Sequence, residues 1–331
     1  MFAQKFRRSS IAMSAAVLLA LTACGGDSGD QPADGSPLKI KIGVAAPTAE
    51  QSLPAVARDL GIFTKHNIDA EIEMIPGGPQ ITAGLVGGSL QFGVYSAPAP
   101  EVGAVQGAPI KYIGTWSHRA NLGLVVAPGI NSVQDLAGKA VAVSSPGTTT
   151  AIYTDMLLRE AGLDPATGVV RRNVGGQSAA LNAFVSGQVS AAIFGAPVTY
   201  TALANLPGAK LLIDYAEQDF SWPYAGVVVT NDYADRNETT VRAVIAALKE
   251  AAAAYQDPAN EGRIIDIIAT FTGTSDKELV KRSFDVAVAQ MDPALTPSLA
   301  DHKNVIEQLA HTTPQASGFD PAKVFDVTFT E

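Results

Sequence analysis

The chain has 331 residues, a formal net charge of −9 at pH 7, and hydrophobic residues at 47 % of its positions. This acidic balance disfavours a nucleic-acid partner, because phosphate backbones are bound by surfaces rich in lysine and arginine. The chain holds a single cysteine, which excludes an intramolecular disulfide and a metal site built from cysteines. Its length predicts about two domains of ordinary size.

The first 23 residues predict an export signal, in which Lys5, Arg7 and Arg8 precede an apolar run over residues 11–23. The run is shorter than the roughly 20 residues that span a bilayer. It ends in Leu-Thr-Ala-Cys24, which resembles the lipobox of bacterial lipoproteins. We therefore expect a lipid on Cys24 and a flexible tether over residues 24–37, where no large apolar side chain occurs. A plain secretory signal is the alternative.

Strand-like and helix-like runs alternate after the tether. The alternation favours βαβ units and a mainly parallel sheet, and it places the chain in the α/β class. A long, nearly all-helical region ends the chain, and we expect it to return to the first lobe. The predicted strands cover 39–44, 122–126, 139–143 and 225–229, and the predicted helices cover 151–158, 239–255, 261–271, 275–288 and 298–309.

Two segments about a hundred residues apart resemble each other. Residues 87–98 align without a gap on residues 186–197, and both segments end in Ala-Pro. The strand over 39–44 and its following Pro47-Thr48 correspond to the strand over 139–143 and its following turn. The repeat predicts two similar lobes, although shared apolar periodicity of unrelated βαβ units would give a weaker version of the same pattern.

The predicted lobes are 38–125 with 226–331, and 126–225. In this order the chain passes between the two lobes twice, near 125–128 and near 223–228. The two crossings predict a two-segment hinge. Ligands of open α/β sheets bind beyond the carboxyl ends of the strands, which here lie at the cleft between the lobes.

Three stretches, over residues 75–100, 132–147 and 158–165, resemble the nitrate, sulfonate and thiamine-precursor binding protein family. The resemblance implies the type II periplasmic binding protein fold. It also implies a monomeric, lipid-anchored receptor that faces the periplasm or the cell exterior and delivers a small molecule to the permease subunits of an ABC importer.

The turn VSSPGTTT, residues 143–150, leads from a predicted strand into a predicted helix. It lacks the lysine of a P-loop and the GxSxG pattern of a nucleophile elbow. The N–H groups of a helix start bind anions, so the turn predicts half of an anion site, unless a hydroxyl merely caps its own helix. The candidate residues are Ser144, Ser145, Gly147, Thr148 and Thr149.

Equivalent turns supply the other candidates, which are Thr48, Glu50, Gln51, Ser96, Ala97, Gly195 and Ala196. Glu50 could accept hydrogen bonds from an amine, or be a solvated loop carboxylate. Sulfonate binders usually carry Trp-Asp-Pro where this chain has Gly-Ala-Pro, residues 195–197. This departure argues against a simple alkanesulfonate and predicts room for a bulkier ligand.

Trp116 and Trp222 precede the two predicted crossings and are candidates for stacking on an organic ligand, with a place in the hinge core as the alternative. Arg171 or Arg172 would supply a cation to the ligand or form a surface pair. The four histidines show no metal-ligand spacing, so neither a metal nor another cofactor is predicted.

The leading prediction is a receptor, not an enzyme, for a small organic anion of the sulfonate or carboxylate type. An aminopyrimidine thiamine precursor or another aromatic nitrogen compound is the alternative ligand, and nitrate ranks low. A pyrimidine-synthase-like enzyme is the alternative activity, but the cysteine-rich motif of those enzymes is missing. A lipoprotein that senses a ligand without transporting it is the third possibility.

Overall fold

The computed structural model describes residues 35–144, 146, 148–218 and 221–331. The predicted export signal, Cys24 and most of the tether lie outside the described residues, as do Ser145 and Gly147. No helix of the part that is described is long and apolar enough to cross a membrane.

The strands form two five-stranded sheets of the same design. The first sheet has the order β2-β1-β3-β10-β4 and the second the order β7-β6-β8-β5-β9. The strands of the first sheet are β1 Leu38–Val44, β2 Ile68–Met74, β3 Phe92–Tyr95, β4 Ile110–Ser117 and β10 Ala225–Thr230. Those of the second are β5 Leu122–Val126, β6 Ala140–Val143, β7 Val170–Asn173, β8 Ala191–Gly195 and β9 Lys210–Asp214.

Each sheet contains three parallel strands and one strand that the chain brings over from the other sheet. β1 pairs in parallel with β2 and β3, and β6 with β7 and β8. The incoming strand β10 is antiparallel to β3 and β4, and the incoming strand β5 is antiparallel to β8 and β9. The two predicted lobes are therefore present, and each is completed by a strand inserted from the other side.

Helices cover the sheets. They are α1 Leu53–Asp59, α2 Ile62–Lys65, α3 Gly78–Val86, α4 Ala99–Val105, α5 Thr149–Glu160, α6 Gln177–Val185, α7 Val198–Asn205, α8 Asn231–Arg236, α9 Glu238–Gln256, α10 Glu261–Thr272, α11 Lys277–Gln290 and α12 Leu299–Ala310. Short 3₁₀ turns occur at Glu50–Ser52, Gln134–Leu136, Tyr215–Glu217, Pro258–Asn260, Pro314–Ala316, Pro321–Val324 and Val327–Phe329.

The chain crosses between the lobes earlier than predicted. The predicted boundary at 125/126 falls inside β5, but every residue of β5 pairs with β8 in the second sheet. The first crossing is therefore residues 118–121. The second is residues 221–224, just before β10. An apolar run such as Leu122–Val126 suits a buried strand in either sheet, so its composition does not reveal which sheet receives it.

The two crossings run side by side as the hinge. The Trp222 N–H donates to the carbonyl oxygen of His118, and the Tyr224 N–H to that of Ser117, both at 2.8 Å. The side chain of His118 also bonds to α12, where its Nδ1 lies 2.5 Å from Asp301 Oδ2. Burial would raise the pKa of Asp301, but hydrogen bonds from His118 and Ser221 outweigh it and hold that pKa below its ordinary value.

The C-terminal helices make most of the first lobe's core. Val241, Ile245 and Leu248 of α9 are buried, and α9 packs against α1, α2 and β4. The helices α10 and α11 extend the same apolar cluster. The last helix, α12, differs. Its Val305, Ile306 and Leu309 belong to a cluster that contains residues of the second lobe. The expected return to the first lobe therefore holds for α9–α11, whereas α12 bridges the two lobes.

Candidate functional site

A cavity of about 460 Å³ lies between the lobes. Its walls come from the carboxyl ends of the central strands and from the turns that follow them, in both lobes. From the first lobe these are Ala45, Ala46, Pro47, Gln51, Tyr95, Ser96 and Ala99, and from the second Ala142, Val143, Ser144, Thr148, Thr149, Thr150, Ala192 and Ile193. The cavity therefore lies where the strand order places a ligand site.

The lobes touch each other around this cavity. Thr149 Oγ1, at the start of α5, donates to the carbonyl oxygen of Ala97 in the first lobe at 2.8 Å. The guanidinium of Arg282, on α11, lies 4.0 Å from the ring centre of Tyr200, on α7. These two contacts connect the lobes directly.

The described lining carries no acidic, basic or histidine side chain. Its polar groups are hydroxyls and amides, on Gln51, Ser96, Ser144, Thr148, Thr149, Thr150, Gln177, Ser178, Tyr95 and Tyr224. The remainder is apolar or glycine. A ligand charge in this cavity would be met by hydrogen bonds and by the dipoles of the backbone rather than by an ion pair.

Three helices begin at the cavity. The first residues of α3, α5 and α6 are Gly78, Thr149 and Gln177, and all three line it. No side-chain cap occupies the N-terminal N–H groups of these helices among the described residues. The first N–H groups of a helix have no partner within the helix and lie at the positive end of its dipole. Their convergence gives the cavity a positive potential without a charged side chain.

Three hydroxyls of the VSSPGTTT turn form a cluster. Ser144 Oγ contacts the hydroxyls of both Thr148 and Thr150. Thr148 makes no side-chain cap to its own helix. The structure thus places Ser144, Thr148 and Thr149 at the cavity, and their binding of a ligand stays a prediction.

Gln51 and Gln177 lie on opposite lobes, Gln51 in the 3₁₀ turn after β1 and Gln177 at the start of α6 after β7. Gln51 Oε1 accepts the N–H of Ala46 at 3.0 Å, and its Nε2 donates to Ser96 Oγ at 3.3 Å. Gln177 Oε1 accepts the N–H of Gly195 at 2.8 Å. Gln51 and Ser96 are among the predicted residues, but Gln177 is not. Its signal in the sequence is its position directly after Gly175-Gly176, a pair that opens the helix α6.

Gly195 lies at a close contact between the lobes. A Cβ atom on Gly195 would lie 2.8 Å from Thr48 Cγ2, 3.1 Å from Gln177 Nε2 and 3.3 Å from the Tyr224 hydroxyl. Thr48, Ala97 and Ala196 are fully buried and lie behind the lining. The room expected beside Gly195 is therefore filled by Thr48 of the other lobe, not left for a ligand.

Trp116 and Trp222 are fully buried and do not line the cavity. Trp116 Nε1 donates to the carbonyl oxygen of Glu50 at 2.7 Å. The Trp222 ring lies 4.9 Å from the ring of Tyr153. Both side chains occupy the core beside the hinge, which is the alternative placement considered for them. Among the described residues, the aromatic side chains that line the cavity are Tyr95 and Tyr224.

Glu50 is buried directly behind the lining residue Gln51. Its Oε1 accepts from Asn121 Nδ2 at 2.8 Å, and its Oε2 has no hydrogen-bond partner within the described structure. Burial raises the pKa of the Glu50 carboxyl to about 7, although hydrogen bonds from Asn121, its own N–H and Thr48 lower it. Glu50 is therefore not a solvated loop carboxylate.

Arg171 lies at a second cavity, of about 470 Å³, between α4 and α5. Its Nη1 pairs with Asp155 and donates to the carbonyl oxygen of Pro165, so its charge is neutralised locally. The described residues contain no group of three or more histidine, cysteine or acidic side chains that could hold a metal ion.

Comparison with known proteins identifies the family. The family model described as NMT1/THI5 like matches residues 53–261. A protein of Brucella abortus (strain 2308), which its name describes only as a candidate binding protein, is 28 % identical over 244 residues, 71 % of this chain and 72 % of that protein.

Two solved structures show the same fold. The periplasmic aliphatic sulphonate binding protein of Escherichia coli superposes with a TM-score of 0.69 at 21 % identity, over 88 % of this chain and 94 % of that chain. The periplasmic nitrate-binding protein of Synechocystis PCC 6803 superposes with a TM-score of 0.72 at 14 % identity, over 87 % and 86 %. At these identities the likeness concerns the fold alone. With two α/β lobes around a central cleft, the chain has the periplasmic binding protein fold and belongs to the NMT1/THI5-like family.

Proposed function

We propose that this protein is the solute-binding component of an ABC importer and captures a small organic anion, of the carboxylate or sulfonate type, between its lobes. It is exported, is held at the membrane by a lipid on Cys24 and delivers its ligand to the permease. The observation that carries the ligand class is a cavity of about 460 Å³ that is rich in hydrogen-bond donors and lacks charged side chains in its described lining.

The size and the walls of the cavity favour an organic body. Its volume lies in the range of about 300–1,000 Å³ that is typical of small-molecule sites. Apolar side chains such as Ala45, Leu122 and Ile193 cover much of its wall. A bare nitrate ion would fill only a small part of this space and would leave the apolar wall in contact with water.

The donors favour a single negative charge. The starts of α3, α5 and α6 and the hydroxyls of the VSSPGTTT turn are suited to oxygen acceptors. A dianion such as a phosphate monoester usually recruits an arginine or lysine as well, and the described lining has neither. A carboxylate or sulfonate needs only the donors that are present.

A neutral aromatic nitrogen compound, such as an aminopyrimidine, is the second candidate. The rings of Tyr95 and Tyr224 in the lining support it, because they offer flat apolar surface. The anion is favoured over it because three helix N-termini at one cavity add a positive potential that a neutral ligand does not use.

Binding without catalysis is part of the proposal. A hydrolase would need a serine activated by a histidine. Ser144 instead contacts Thr148 and Thr150, and His118 bonds to Asp301 in the hinge. Ser144 and His118 therefore bond to different partners, Ser144 at the cavity and His118 in the hinge.

A ligand panel tests the proposal. The mature protein is titrated by calorimetry with small aliphatic and aromatic carboxylates and sulfonates, aminopyrimidines, alkylamines and nitrate, and its melting temperature is followed. We expect an organic monoanion to bind and to stabilise the protein, by about 2.7 kcal/mol at a hundred times its Kd. Exclusive binding of cations, or of nitrate, would contradict the ligand class. Unchanged uptake of the ligand in cells lacking the gene would favour a sensor.

A further inference from the structure

The polar side chains of the cavity include one glutamine from each lobe, Gln51 and Gln177. Gln51 is almost completely buried, and Gln177 is partly exposed to the cavity. A free glutamine can turn either its oxygen or its nitrogen towards a ligand. The environment of both side chains removes this choice.

A backbone N–H fixes each amide. Gln51 Oε1 accepts from the N–H of Ala46, and Gln177 Oε1 accepts from the N–H of Gly195. If either amide were flipped, its NH₂ group would face a backbone donor, and both groups would lose a hydrogen bond. The network therefore determines the orientation of each amide, and each leaves its NH₂ group available as a donor.

These donors have spare capacity. Gln51 Nε2 carries two protons and uses one of them in its bond to Ser96 Oγ, at 3.3 Å. Gln177 Nε2 has no acceptor in the part of the chain that the structure describes, while its oxygen is held at 2.8 Å. An NH₂ group has no acceptor capacity, so a ligand group that can only donate gains nothing from either side chain.

We infer that Gln51 and Gln177 form a donor clamp that determines specificity: amide N–H groups from both lobes bind an oxygen acceptor of the ligand, and they discriminate against ammonium and other groups that can only donate. The inference rests on the proposed function and deepens it. In this proposal two uncharged side chains select the anionic ligand, a role for which many sites use a positively charged side chain. It also couples recognition to closure, because each lobe supplies one half of the clamp.

Replacing each glutamine by glutamate tests the clamp, because Gln177→Glu and Gln51→Glu keep the shape and exchange a donor for an acceptor. The probes are matched pairs, benzoate with benzylamine and butanesulfonate with butylamine, titrated by calorimetry. We expect wild-type protein to bind an acid of the panel and each variant to bind it at least 30-fold more weakly. Gln188→Glu, an exposed change of the same charge in the second lobe, should stay within twofold.

A second variant separates loss of binding from misfolding of the glutamate variants. Gln177→Met removes the donor without adding charge, and we expect it to weaken acid binding about tenfold while the melting temperature stays within a few degrees of wild type. If Gln177→Glu and Gln177→Met both bind the acid within twofold of wild type, the clamp proposal is wrong, but the proposed ligand class still stands. A wild-type preference for the amine of each pair, or binding of no acid at all, would overturn the proposed ligand class and the clamp with it.

Discussion

At the scale of single residues, Glu50 is a buried carboxyl with a raised pKa, and it lies next to the candidate site. Its carboxyl is fully buried, and its Oε1 accepts from Asn121 of the first crossing at 2.8 Å. The charged form is disfavoured by burial, and this raises its pKa to about 7. The carboxyl is therefore protonated in the folded protein at a pH where it would be ionised in the unfolded chain.

This shift predicts a pH dependence of stability. Because the folded state holds the proton more tightly than the unfolded state, the contribution of Glu50 is fully present below pH 4.5 and is lost as the pH rises through about 7. Glu50→Gln removes the dependence and keeps the acceptor for Asn121. Relative to wild type, we expect its free energy of unfolding to increase by about 2–3 kcal/mol between pH 5 and pH 8.

Urea unfolding of both proteins at the two pH values measures this difference. Glu217→Gln, the same change at an exposed position, should show no such gain. A parallel pH dependence in wild type and Glu50→Gln would mean that the carboxyl is not held protonated by the fold.

A buried pair of ionisable side chains joins α12 to α4. His302 Nδ1 lies 2.8 Å from Glu101 Oε1, and both side chains are fully buried. Removing one partner leaves the other without compensation, so we expect His302→Ala to reduce the free energy of unfolding by about 3–5 kcal/mol. His311→Ala, at an exposed position, should change it by less than about 0.5 kcal/mol. A small effect of His302→Ala in urea unfolding would contradict the burial.

The candidate site could be predicted only in part. The VSSPGTTT turn was visible because a strand, a polar turn and a helix start follow each other directly in the sequence. Gln51 and Ser96 followed from the same reasoning on the first lobe. Gln177 was missed because a glutamine after two glycines has no distinctive pattern, and its role depends on the N–H of Gly195, which only the fold brings to it. The burial of Trp116 and Trp222 likewise depends on packing between elements that are distant in sequence.

At the scale of elements, the long C-terminal helices were the most predictable part of the fold. The predicted ranges 239–255, 261–271, 275–288 and 298–309 are confirmed to within two residues at each end. Apolar residues recur on one face of these helices over several turns, and this period of 3.6 residues is a local property. The packing position of α12 could not be predicted from its own sequence, because its apolar face bridges two lobes instead of covering one.

The contact between the end of β8 and the turn after β1 makes a further prediction. A methyl group at Gly195 would lie 2.8 Å from Thr48 of the other lobe, so Gly195→Ala must push the lobes apart or displace Gln177. We expect the affinity for the ligand to fall at least tenfold.

Gly262→Ala provides the matched control. It adds the same methyl group in α10, where nothing lies within 4 Å, and it should leave binding unchanged and stabilise the helix by about 0.5–1 kcal/mol. Calorimetric titration of both variants makes the comparison. Wild-type affinity in Gly195→Ala would show that this contact does not limit closure.

At the scale of the whole molecule, the internal repeat predicted the two lobes correctly because each copy carries its own strand and helix pattern. The repeat did not reveal that each sheet takes one antiparallel strand from the other side. This exchange ties the lobes by two hydrogen-bonded crossings and leaves the cleft beyond the carboxyl ends of β1, β3, β6 and β8. The architecture is therefore suited to closing around a ligand, as the proposed receptor requires.

The central claim is that the cavity between the lobes holds a small organic molecule with one negative charge. Mass spectrometry of the small molecules released when the protein is isolated from its natural host and denatured tests this claim most directly. We predict one dominant compound, an organic carboxylate or sulfonate small enough for a cavity of about 460 Å³. Release of a cationic compound, or of nitrate as the dominant species, would contradict the account.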